Sequence, residues 1–216
     1  IGRSICGNGK PLYDYFNGYN GDQMAAELNM QSKHSLEKTA AHNANCFTTV
    51  SDITARECEQ LLEIKPLVTP NGFELSIVPE RQKYTAQRKK ARAKLLQVAE
   101  ALTGKHYDNS TFLYATAGRN EFRNKGLDMF IDATNALRNG HGMNRQSIAF
   151  ILVPAWENGA REDLKSRLEK GETQGALEDC IITHRLHDYS SDAIYNKLEY
   201  LGMHNSADSK VDTIYV

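Results

Sequence analysis

Apolar and polar positions along this chain switch between two periods, and the switches divide it into strands and helices. Residues 147–153, SIAFILV, form a continuous apolar run bounded by Pro154, the pattern of a parallel strand buried on both faces. Residues 112–117 form a second strand candidate. Between them Leu127, Phe130, Ile131, Thr134 and Leu137 recur at helical spacing, and Asn139-Gly140 stops the run. Over residues 84–102 the stripe Ala91, Leu95, Val98, Ala99 and Leu102, with Gly104 just beyond, predicts the clearest helix in the chain.

The rest is filled by shorter signals. Residues 1–22 are rich in Gly, Asn and Tyr and are expected to be loop. Residues 23–45 turn helical, with a break near 31–34. Residues 46–50, CFTTV, predict a short buried strand, and Ser51 offers an N-cap for a helix carrying Ile53, Cys58, Leu61 and Leu62 to about Glu63. Residues 67–69 can be the next strand, closed by Pro70-Asn71-Gly72, with a connector at 76–79. Strand, helix and strand on short loops predict a βαβ unit and a parallel sheet. Further on, 161–170 predicts a charged helix and 174–179 a weaker one. Ser190 or Ser191 would cap a helix through Tyr200 with Ala193, Ile194 and Leu198 inward, and 211–216 predicts a last strand. The fold class expected is α/β, two Rossmann-like pieces joined by one helix.

Composition narrows the class. The 216 residues carry a net charge of −1 with a quarter of them charged, so no global field points to nucleic acid, and no apolar run approaches a membrane span. The four cysteines are scattered, with Cys46 and Cys58 in segments expected to face the core. Reduced thiols in a cytoplasmic protein suit this better than a disulfide framework. The chain opens on IGRSICG, which reads as mid-domain sequence. It closes on a strand that would be left bare, so a segment of a longer protein is expected.

The candidate chemistry lies at 111–127, TFLYATAGRNEFRNKGL. A strand runs into Gly118 and Arg119, then through a polar loop to Lys125-Gly126, where a helix opens. Open α/β sheets bind ligands at the carboxyl ends of their strands. Gly118 is expected to let the backbone turn tightly, and the first amides of the helix near Lys125 to offer unpaired donors to an anion. Arg119 can fork two hydrogen bonds to phosphate, and Lys125 adds a mobile charge. Spacing alone equally allows a surface Arg and Lys flanking an ordinary loop. The basic stretch 81–94 reads as a solvated helix face, with a nucleic-acid contact as the weaker option because no aromatics interleave it. His42 is expected to be a packed core histidine. His184 and His187 at i and i+3 would suit a metal on a helix, but no third ligand is evident.

Several blocks together resemble one family. AAHNANCFTTVSDITARECEQLL at 40–62, Pro70-Asn71-Gly72, AGRNEFRNKGLDMFIDA at 117–133 and Gly2-Arg3 are similar to segments of the animal- and fungal-type glycogen synthases, over most of 1–135. The resemblance implies a GT-B retaining glycosyltransferase built of two Rossmann-like domains, each only partly present. Residues 1–78 would close the first domain, 79–105 connect the two on a basic helix, and 106–216 begin the nucleotide-sugar-binding domain. It implies transfer of glucose, from UDP-glucose more than ADP-glucose, to the non-reducing end of glycogen or another α-1,4-glucan, with no metal and no cofactor beyond the sugar nucleotide. Arg119 and Lys125 map to catalytic contacts on the donor diphosphate, beside Gly118. Arg3 maps to an arginine reaching the same phosphates from the opposite domain. A homo-oligomer is implied for the full-length protein, with neither nucleic acid nor membrane as partner. The family's glycine-rich loop, the histidine before Arg3, the glutamate-bearing EPWGYTPAE segment and the arginine-rich regulatory helix have no counterpart in these 216 residues. The chain alone is therefore expected to be inactive. A sucrose synthase relative or a non-catalytic carbohydrate-binding module are the alternatives.

Overall fold

The computed structural model describes residues 1–140 and 144–216. The chain divides into two compact units, Ile1–Val78 and Pro79–Val216.

The first unit runs α1 (Gly2–Gly7), α2 (Gly21–Glu27), α3 (Gln31–Asn43), β1 (Thr48–Thr49), α4 (Asp52–Leu62), β2 (Leu67–Val68) and a single 3₁₀ turn (Leu75–Ile77). β1 and β2 pair in parallel around α4, the βαβ unit expected from the pattern. Ser51 caps α4, its side chain accepting the Thr54 amide, and Glu63 ends that helix in the left-handed region. The unit's core is small: Ile5, Leu12, Met24 and Leu61.

Several expectations fail in this unit. α1 forms where loop composition was expected, because Ile5 is buried and pulls one turn of backbone inward. The strand at 46–50 shrinks to two residues and is not buried; Val50 and Cys46 are exposed and Cys58 is half-buried. Leu67 of β2 is 62 % exposed. Among the described residues nothing covers that side of the pair. His42 is also exposed rather than packed in the core, its Nε2 lying 2.7 Å from the Leu62 carbonyl.

The second unit contains α5 (Arg81–Thr103), β3 (Phe112–Ala117), α6 (Leu127–Asn139), β4 (Ser147–Leu152), β5 (Glu157–Ala160), α7 (Glu162–Lys170), β6 (His184–Leu186), α8 (Ala193–Tyr200) and β7 (Val211–Tyr215). β3, β4 and β7 form a parallel sheet in that order. Successive side chains on a strand point to opposite faces. Ile148 and Phe150 accordingly pack with Ala99 and Leu102 of α5 and Leu164 of α7, while Ile151 packs with Leu127 and Ile131 of α6 and Ile194 and Leu198 of α8. The result is a parallel sheet with helices on both faces, as in a Rossmann-like fold. Each fully buried Ile, Leu or Phe contributes about 1.5–3 kcal/mol.

Here too the structure corrects details. Asp192 caps α8, accepting the Tyr195 amide, and neither serine does; Ala193 faces outward. Residues 174–179 carry no helix. β5 and β6 form an antiparallel pair that the pattern did not reveal. The last strand is not bare: Ile182 bridges Tyr215 in parallel, and Tyr215 N–H donates to the Ile181 carbonyl. Among the described residues β3 has no strand on its other side.

Candidate functional site

The loop between β3 and α6 opens at the carboxyl end of the parallel sheet. β3 stays in register with β4 through Ala117, opposite Leu152. At Gly118 φ is 159°, at the margin of extended backbone, and a Cβ there would meet nothing within 4 Å. The tight turn expected at Gly118 lies instead at Gly126, whose φ of 65° is left-handed and which caps α6. Residues between them are wound on themselves: Lys125 N–H donates to the Glu121 carbonyl at 2.9 Å, and Gly126 N–H to that of Arg123. Phe122 packs against the α6/α8 core and anchors the loop.

The Arg119 side chain is 72 % exposed, and its Nε lies 3.3 Å from Oε1 of Glu121, whose own side chain is only 11 % exposed. A sunken carboxylate thus orients a guanidinium that faces solvent. Lys125 is exposed at the other end of the loop. Two cations therefore stand at one sheet end, as the sequence suggested.

The helix amides do not join them. Leu127 and Asp128 N–H both donate to the Phe122 carbonyl, at 3.0 and 3.3 Å, and Met129 N–H is taken by the Asp128 side chain. Asp128 also places a carboxylate in the first turn of α6. An anion at this loop would be held by side chains, not by the α6 terminus.

Arg3 lies in the first unit, exposed on α1. Its neighbour Gly2 is buried against Glu57, and a Cβ at position 2 would overlap that carboxylate. Residues 81–90 of α5 are all exposed, as a solvated face requires. Arg92 turns back to bond the carbonyls of Asn109 and Thr111 ahead of β3.

His184 does not lie on a helix. It sits buried in β6, edge-on to the Tyr215 ring, with no hydrogen-bond partner at its buried Nε2. Burial pushes its pKa down, against the opposing pull of Glu157 and Asp192. His187 lies beyond the strand, its ring against that of Trp156. Among the described residues no group of three or more His, Cys, Asp or Glu side chains could hold a metal ion. No helix among them is long and apolar enough to cross a membrane.

One feature escaped the sequence altogether. Asn120 and Phe122 share a cavity of about 300 Å³ with Trp156, Asp188, Ser191, Asp192 and Ala193. It lies beside the Arg119 loop, but its residues come from three separated segments, and no local spacing links them.

Residues 1–178 match the family model described as glycogen synthase, further along the chain than the motif blocks reach. The chain is 33 % identical over 162 residues to the glycogen (starch) synthase of Neurospora crassa, covering 72 % of this chain and 23 % of that protein. It is 33 % identical over 172 residues to the human liver glycogen (starch) synthase, covering 73 % and 24 %. Against the Caenorhabditis elegans glycogen (starch) synthase it is 32 % identical over 193 residues, covering 82 % and 28 %. The chain thus spans about a quarter of the length of the curated relatives it matches. With an α/β fold that presents cations at the carboxyl end of a parallel sheet, and a family match over most of its length, the chain belongs to the glycogen synthase family.

Proposed function

We propose that this chain supplies the donor-binding part of a glycogen-synthase-type glucosyltransferase, which moves glucose from UDP-glucose to the non-reducing end of an α-1,4-glucan with retention. The observation that carries the reading is the solvent-facing pair Arg119 and Lys125 at the carboxyl end of β3, inside the segment that matches the family. Glucosyl transfer from a nucleotide sugar leaves a diphosphate dianion. Cations poised there stabilise charge that grows in the transition state, which needs no metal. With Nε committed to Glu121, the terminal nitrogens of Arg119 remain to fork onto phosphate oxygens. Gly118 leaves open space on the backbone beside them. Ile1–Val78 is the closing part of the first Rossmann-like domain. Residues 79–105 are the interdomain connection and 106–216 the start of the nucleotide-sugar domain.

The test is made in the complete protein that carries this chain. Arg119→Ala and Lys125→Ala should each lower kcat by about two to three decades, with glycogen affinity unchanged. Unaltered turnover in both variants would refute the assignment.

A further inference from the structure

Trp156 is the single tryptophan of the chain, and it is 69 % exposed. Large aromatic side chains of this kind are normally spent on cores and interfaces. This one is held in place. His187 N–H donates to the Trp156 carbonyl at 3.1 Å, continuing the β5–β6 ladder in which Glu157 faces Leu186. The indole and imidazole rings lie 5.0 Å apart at 35°. Two strands thus present a pre-positioned aromatic surface to solvent, which lowers the ordering cost of anything that stacks on it.

The polar groups beside it are equally specific. Asp188 Oδ1 accepts from both the amide and the hydroxyl of Ser190, at 2.9 and 2.6 Å, and these bonds hold its carboxyl below the usual carboxylate range. Asp192 is committed, one oxygen to the Tyr195 amide and the other to the Tyr215 hydroxyl. Asn120 comes directly after Arg119 in the chain. The cavity these groups line is at the small end of ligand clefts.

We propose that this cavity is a glucan subsite, in which Trp156, backed by His187, stacks on the C–H face of a glucose unit while Asn120 and Asp188 bond its equatorial hydroxyls. A glucose chair offers such a ligand: an apolar face of axial hydrogens rimmed by hydroxyls. An indole would also stack on a nucleobase, but any phosphate carried into the cavity itself would meet the carboxylates of Asp188 and Asp192. A neutral sugar chain meets no such repulsion. The choice of an α-1,4-glucan rests on the glycogen synthase reading given above, and the position beside Asn120 places this subsite next to the proposed donor loop.

The chain's own fluorophore tests the idea. Titrating maltohexaose into the 216-residue chain should change tryptophan emission saturably, and UDP should not. In electrophoresis through a glycogen-containing gel, Trp156→Ala should weaken retardation about tenfold, Trp156→Phe should restore most of it, and Asp188→Asn should weaken it less. Because Trp156 is exposed, the alanine variant should melt at the wild-type temperature. Unchanged emission at millimolar maltohexaose, equal retardation of the alanine variant, or a response to UDP instead would overturn the proposal. Loss of the Arg119 and Lys125 effects with the maltohexaose response intact would sink the donor reading and leave this one standing.

Discussion

Arg119 and Glu121 are two residues apart and share one ion pair, so the guanidinium is oriented before any anion arrives. A pair whose cation stands in solvent adds little to stability; its effect is positional. His184 shows the opposite case, a titratable ring fixed where charge is unwelcome. Burial holds its pKa below 6.5 while its unfolded counterpart titrates at the ordinary value. Between those two values the unfolded state binds more protons, so stability falls as pH drops below about 6.5 and is fully present above it. Chemical unfolding midpoints of the second unit should therefore decline as pH falls below about 6.5, and His184→Asn should flatten that decline. An unchanged slope in the variant would show that other groups carry it.

At the scale of elements, the long and strongly patterned pieces were legible. SIAFILV became β4 because a strand buried on both faces needs apolar residues at every position. The helices at 81–103 and 127–139 followed from their apolar stripes and terminal glycines. What escaped was short and set by tertiary contact. α1 is six residues flanked by glycine, and the three-residue β6 exists because β5 pairs with it. The cations of the site could be read because one motif carries both, whereas the cavity beside them assembles from residues as far apart as Asn120 and Ala193. The end of α5 shows how tightly such a junction can close. Gly104 ends the helix at φ 68°, and a Cβ there would collide with the Gly175–Ala176 backbone, while Arg167 ties the Ala101 and Gly175 carbonyls together. Gly104→Ala should cost more than the roughly 1 kcal/mol of a left-handed penalty alone, read as a fall in thermal midpoint. A midpoint within error of wild type would mean the junction gives way freely.

On the scale of the whole molecule, two units carry different amounts of structure. The second has a three-layer core on both faces of β4, and the first rests on one small cluster around Ile5, Leu12, Met24 and Leu61 and a two-stranded sheet. Small cores of this size supply little stability, so the first unit should open before the second. We expect the 216 residues on their own to transfer no glucose, since the chain spans about a quarter of the length of its relatives. Incorporation of labelled glucose into glycogen by the purified chain would contradict this.

Among the described residues β3 is an edge strand, and that has a consequence of its own. A strand whose amides and carbonyls lack a neighbour on one side is a template, and the next strand it meets in solution can be that of another copy. Phe112 and Tyr114 stack along this strand, and the Arg145 guanidinium lies over the Phe112 ring at 4.7 Å. That cation is a charge beside the amino end of the strand, and the carboxyl end leads into Arg119. Arg119 and Lys125, which would hold a diphosphate, follow β3 in the loop beyond its carboxyl end.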